Sequence, residues 1–167
     1  SAIYAAAFNE AHPSLFDLSQ HYGKQFLFAG VSVFLGLLIL LIDAKFFNTF
    51  AYVIYGFSIL LLLYVLVGGS TIAGSKSWIQ FGGFSFQPSE FAKFGTALAL
   101  AHYLGGVNTD FSKMKTQAIA YGLVLFPMML VLMQGDAGSS LVFLVFILVF
   151  YREGMSGKIL IIGFVAI

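Results

Sequence analysis

Charge is what this chain has least of. Only 9% of its 167 residues are Asp, Glu, Lys or Arg, against roughly a quarter in an ordinary soluble domain. Eight basic and seven acidic residues leave a net charge of +1, so there is no basic face for nucleic acid, and that class of partner is excluded. Cysteine is absent, which excludes a thiolate metal site and a catalytic thiol. It says little about redox compartment, because a membrane protein need not carry disulfides. The three histidines, His12, His21 and His102, have no metal-ligand spacing, and no catalytic triad can be assembled around them. No metal site is expected from these residues.

What the chain has instead is long apolar runs. Hydrophobic residues make up 60% of it and the mean hydropathy is +0.96. Charge is missing from Gln25–Ile42, Phe46–Ser75, Thr116–Gly135 and Ala137–Tyr151. An apolar stretch of about 18 residues or more is long enough to cross the hydrocarbon core of a bilayer. Backbone in lipid must satisfy its own hydrogen bonds, and the runs are continuous rather than alternating, so helices are expected and a barrel is not. The expected architecture is all-α: one polytopic transmembrane helix bundle over residues 1–167, with spans near 26–42, 46–67, 91–104, 117–133 and 138–150. Apolar pieces at 1–8 and 159–167 are too short to span and read as partial spans. Ser1–Phe8 lacks the basic leader of a signal peptide. The expectation is a piece of a larger protein, truncated at both ends. There is no internal repeat and no low-complexity segment.

The loops then alternate sides. Those carrying Lys45, Lys113, Lys115, Arg152 and Lys158 fall on one side; those carrying Lys24 and Lys76 fall on the other. That bias makes the first set cytoplasmic and puts the loops Gly68–Glu90 and Gln134–Gly138 together on the extracytoplasmic side. Trp78, Tyr22, Tyr103 and Tyr151 fall near span ends, as an aromatic belt would. Pro127 sits mid-span and is expected to kink its helix. Two spans are short. Ala137–Tyr151 covers about 23 Å against a core of about 30 Å, so Asp136 or the Arg152–Glu153 pair must dip toward the membrane.

The few charges kept near the bilayer are the places to look for chemistry. Pro88 suits the first turn of a helix. Glu90 then sits near the positive end of that helix dipole, and Lys93, three residues on, shares its face and can pair with it. One reading is a carboxylate and an ammonium lining a cavity open to the outside; the same spacing fits a helix cap with a surface ion pair. Asp136, between two apolar spans, is a buried acid or base, a partner for Lys93, or a cap for the helix that follows, with Gly135 and Gly138 permitting a tight turn. Gly69-Ser-Thr-Ile-Ala-Gly74 looks like a phosphate-binding loop but lacks the Lys-Ser/Thr that should follow, and a flexible extracellular loop is the better account. Glu10, His12, Asp17 and His21 cluster in one outer loop that reads as a solvated surface.

These motifs resemble the SEDS family of bacterial cell-wall polymerases, its rod-shape branch more than its cell-division branch. The strongest match is Gly74-Ser-Lys-Ser-Trp-Ile79 followed by Phe86-Gln-Pro-Ser-Glu-Phe-Ala-Lys93. Gln134-Gly-Asp-Ala-Gly-Ser-Ser-Leu-Val-Phe143 is similar to the family's Gln-Pro-Asp-Leu-Gly-Thr, with Gly135, Ala137 and Ser139 standing in place of Pro, Leu and Thr. Tyr151-Arg-Glu-Gly-Met-Ser-Gly157, Leu41-Ile-Asp-Ala-Lys-Phe-Phe47 and Pro13-Ser-Leu-Phe-Asp-Leu18 also fit. The resemblance implies a ten-helix fold of which this chain runs from the end of the first span into the start of the seventh. It implies a peptidoglycan glycosyltransferase of the bacterial inner (cytoplasmic) membrane, acting on lipid II for wall elongation, with a class B penicillin-binding protein as partner and membrane lipids around it. It carries over Glu90, Lys93 and Asp136 as candidate catalytic residues and Lys76, Trp78, Gln87 and Ser89 as candidate substrate-binding residues. It puts the catalytic aspartate in a later loop, beyond Ile167, so the piece is expected to be inactive alone. No cofactor is fixed, and room is left for a divalent cation. A lipid II flippase and a non-catalytic scaffold for the penicillin-binding protein are the rival readings.

Overall fold

The computed structural model describes residues 21–72, 74–81, 84–106 and 110–154. The expected partial spans at 1–8 and 159–167, the loop holding Glu10, His12 and Asp17, and the 13–18 motif lie outside them. Two compact units divide the chain, Ser1–Phe46 and Phe47–Ile167. In the first, α1 (His21–Leu40) is exposed along the whole of 25–40. Ser32, in the middle of the helix, satisfies itself by donating to the Phe28 carbonyl at 2.7 Å, as a hydroxyl in an apolar surrounding must. Asp43 Oδ1 accepts from the Lys45 N–H at 2.9 Å, which starts α2 (Ala44–Gly68).

The second unit is built from α2, α3 (Pro88–Leu104), α4 (Met114–Met133), α5 (Ala137–Val142), a 3-10 turn (Phe143–Val145) and α6 (Phe146–Arg152). Among the described residues, two of these helices, α2 and α4, are long and apolar enough to cross a membrane. The buried positions repeat at helical spacing: Ala51, Ser58, Leu62 and Val65 on α2; Ser89, Ala92, Thr96 and Ala99 on α3; Thr116, Ala120, Val124, Pro127 and Val131 on α4. The α3 face is made of small residues, which lets backbones approach where lipid offers no hydrophobic drive to associate. Gly95 shows how closely: a Cβ there would stand 2.9 Å from Ser58 Oγ and 3.3 Å from Tyr55 Cα.

Phe57 packs edge-on against Phe91, and Tyr52 against His102, so α3 runs antiparallel to α2. Tyr55 reaches Leu123 and Gln134 reaches Leu62, so α4 runs parallel to it. α4 continues through Pro127. The proline has no N–H to give the Leu123 carbonyl, and the Tyr55 hydroxyl of α2 donates to that carbonyl instead, at 3.0 Å. At the opposite end from the site, Phe150 of α6 stacks on Phe111 at 5.9 Å and meets Tyr121 edge-on at 4.8 Å. The α5–α6 segment is short, and its 3-10 turn lengthens it, since that helix rises about 2.0 Å per residue instead of 1.5 Å.

Between α2 and α3 the described residues form strands, the first of them inside the Gly69–Gly74 stretch expected to be a flexible loop. They are β1 (Ser70–Ile72), β2 (Ser75–Phe81) and β3 (Phe84–Phe86), in an antiparallel meander of order β1-β2-β3. Ile72 pairs with Ser75 around Gly74 (φ +86°), and Phe81 pairs with Phe84. The readable signal was there: strand-like residues on both sides of Gly82-Gly83 are a hairpin pattern.

Candidate functional site

The α2 C-terminus, the meander, the α3 N-terminus and the α4–α5 turn all lie at one end of the second unit, which brings the Gly68–Glu90 and Gln134–Gly138 loops together. Each is tied to the next by a polar contact. The last carbonyls of a helix have no partner of their own. On α2 the Lys76 ammonium takes two of them, donating to Leu66 O at 3.1 Å and Val67 O at 2.9 Å, where the negative end of the dipole also favours a cation. The Lys76 backbone N–H donates to Gln134 O at 3.0 Å and fastens β2 to the α4–α5 turn. Ser75 Oγ lies 2.6 Å from Ser77 Oγ and 3.4 Å from the same carbonyl, and its single proton serves one of the two at a time.

The α4–α5 turn follows from Gly135. Its φ is +77°, a left-handed conformation that costs residues with a Cβ. The Gly135 N–H donates to Leu132 O at 2.9 Å and the Asp136 N–H to Val131 O at 3.3 Å, the paired bonds of a Schellman stop. Gln134, just before it, is 3% exposed and its Nε2 donates to Leu62 O at 3.1 Å, tying α4 to α2. Its Oε1 has no partner among the described residues. Asp136 then caps α5: Oδ1 accepts from the Ser139 N–H at 3.0 Å.

Gln87 is the residue that starts α3, yet its side chain makes no cap there. Its Nε2 reaches across to Asp136 Oδ2 at 2.6 Å and to Ser139 Oγ at 3.3 Å. Pro88 follows at the first helical position, where a missing N–H costs nothing. Ser89 is fully buried and its Oγ has no partner among the described residues. Glu90 Oε1 accepts from Lys93 Nζ at 2.7 Å; the side chains are 59% and 20% exposed respectively. Lys93 lies about 7.5 Å along the axis from Pro88, five residues at 1.5 Å each.

An exposed pair of this spacing is worth only about 0.3–0.5 kcal/mol in water, whereas a lone charge at the centre of a spanning helix costs about 2.5–3.5 kcal/mol. Glu90 lies in the first turn of α3 and Lys93 in the second, so the pair sits near the helix start and not at its centre. The structure joins Gln87 to Asp136, and Glu90 to Lys93, while among the described residues no side-chain hydrogen bond links the two pairs. Trp78, half-buried on β2 opposite Ser70, belongs to neither. Lys76 is engaged with helix carbonyls. Gln134, Ser139 and Tyr55 carry contacts that sequence reasoning did not assign; their only signal was a polar side chain beside or inside an apolar run.

A sequence profile described as "Cell cycle protein" and covering FtsW, RodA and SpoVE matches residues 2–167. The chain is 38% identical to the peptidoglycan glycosyltransferase RodA of Treponema pallidum, over 88% of this chain and 33% of that protein. It superposes on the crystal structure of the rod-shape-determining protein RodA of Thermus thermophilus with a TM-score of 0.80 and 32% identity, over 98% of this chain and 52% of that one. A chain of a peptidoglycan synthase complex, described for its structural coordination of polymerization and crosslinking, gives a TM-score of 0.77 and 34% identity over 99% of this chain and 48% of that one. The chain thus spans about a third of the length of the first relative and about half of the solved ones.

Proposed function

The chain belongs to the FtsW/RodA/SpoVE family of helical membrane proteins, and on that premise we propose that it is the site-bearing part of a peptidoglycan glycosyltransferase polymerising lipid II for wall elongation. The observation that carries the reading is the Glu90–Lys93 ion pair, set into an apolar helix beside the joined α3 and α5 starts. In the reaction a sugar hydroxyl attacks the anomeric carbon of the growing strand. The carbon–oxygen bond to undecaprenyl pyrophosphate breaks, the pyrophosphate leaves with the bonding pair, and the hydroxyl proton passes to a carboxylate base. Such a step needs that base and a positive charge facing the departing phosphates.

Lys93 supplies the charge and Glu90 orients it. In this reading the base comes from an aspartate in sequence following Ile167, within the ten-helix fold. Trp78 lines the approach of the sugar, while the fully buried Ser89 and the Gln87 amide, given to Asp136, support the start of α3 from behind. Lys76 holds the meander on α2, and two of its three N–H bonds are given to helix carbonyls. The setting is the bacterial inner membrane, with both loops of the site extracytoplasmic and a class B penicillin-binding protein alongside.

The test is polymerisation of labelled lipid II by the purified full-length protein, with and without that partner. Glycan strands are the expected product. Lys93→Ala abolishes them while expression stays normal; undiminished synthesis by that variant overturns the role. Transfer of lipid II across a liposome membrane without polymer supports a flippase, and neither activity supports a scaffold.

A further inference from the structure

Asp136 stands in the candidate site as a carboxylate of open purpose. Both of its oxygens are occupied: Oδ1 holds the Ser139 N–H at the start of α5, and Oδ2 holds the Gln87 amide at the start of α3. Gln87 is in turn the residue from which α3 begins, and its backbone carbonyl accepts the Glu90 N–H at 3.1 Å. A shift of Gln87 therefore moves the turn that carries Glu90 and, through the ion pair, Lys93.

We propose that Asp136 and Gln87 form a positioning lock, which joins the first residues of α3 and α5 and sets the Glu90–Lys93 turn, and that the negative charge on Asp136 takes no part in the reaction. The inference rests on the polymerase reading above for its effect on rate, and on the geometry alone for its effect on stability. The structural argument is one of donors and acceptors. Gln87 presents an NH2 to a carboxylate at 2.6 Å, a charge-assisted bond of the stronger kind. Asn is as good a helix cap as Asp. In Asp136→Asn the cap therefore survives, and Gln87 recovers a neutral hydrogen bond by turning its amide over. Gln87→Glu instead sets two carboxylates against each other, and the contact is relieved only when one of them takes up a proton, so the comparison is made above neutral pH. In the double variant Gln87→Glu/Asp136→Asn, the new carboxylate accepts from the new amide, so the bond is rebuilt with its polarity reversed.

The experiment compares these three variants with the wild type in the full-length protein, by lipid II polymerisation rate and by thermal melting. Asp136→Asn is expected to stay within about tenfold of the wild-type rate, the difference between a charge-assisted and a neutral hydrogen bond. Gln87→Glu should fall by about a hundredfold or more, and the double variant should return to the Asp136→Asn level. Melting temperatures should follow the same order, with the double variant more stable than Gln87→Glu. An Asp136→Asn protein that is folded and inactive overturns the lock, because the carboxylate at position 136 would then itself be required; a double variant as slow as Gln87→Glu overturns it too, because the amide at position 87 would be required for something other than the bond. If the wild-type protein makes no glycan, the functional reading fails and the melting series still decides: rescue in the double variant upholds the lock, and additive losses overturn it.

Discussion

At the scale of single residues, Gly135 and Lys76 do work that their neighbours cannot. Gly135 sits at φ +77° with open space around the position of a Cβ, whose nearest neighbour would be Gly74 O at 3.7 Å. The whole cost of a side chain there is conformational. Gly135→Ala should lower stability by about 1–2 kcal/mol, read as a drop in melting temperature in detergent. Gly135→Pro should cost more, because proline cannot reach a positive φ and also removes the N–H that Leu132 O accepts. A Gly135→Pro protein as stable as the parent would mean that the turn is remade in another form. Lys76 illustrates a different point. Its charge was readable as a candidate for substrate, but a lysine two residues into a strand that lies over a helix end finds the helix carbonyls first.

At the scale of elements, the α2–α4 contact shows how a membrane bundle uses a helix-breaking residue. Pro127 deprives Leu123 of its donor, and Tyr55 restores one from the neighbouring helix. Tyr55→Phe should therefore cost about 1 kcal/mol, that of an orphaned buried carbonyl less whatever relaxes. In a Pro127→Ala background the residue at 127 regains its N–H and the same Tyr55→Phe change should cost less. A double-mutant cycle on melting temperature measures the difference, and equal costs in both backgrounds would sink the explanation. The proline was legible in the sequence as a point of helix strain. Its remedy was not, because the donor lies on another helix, 68 residues away.

At the scale of the whole molecule, the loops bearing Lys76, Glu90 and Asp136 share one end of the second unit, and the loop bearing Lys113 lies at the other end of α4. These 167 residues hold no cysteine, so in a full-length protein whose cysteines elsewhere are replaced, one introduced here reports the sidedness of its end. Ser85 and Ser112 are both exposed, one at each end. With Ser85→Cys, a membrane-impermeant maleimide added to intact spheroplasts should label the full-length protein; with Ser112→Cys it should label only after the membrane is opened. The reverse pattern would invert the proposed topology.

Sequence alone determined the helical membrane class of this protein and the local pairing of Glu90 with Lys93. A bilayer imposes one length and one polarity on whatever crosses it, and neighbours three apart on a helix meet whatever surrounds them. Tertiary structure decided which polar groups answer one another between segments. Gln87 finds Asp136 across 49 positions, and Gln134 finds Leu62 across 72. Neither distance is written in hydropathy. In an interior without water a polar side chain binds the nearest group able to accept it, and which group is nearest is settled only when the helices have packed.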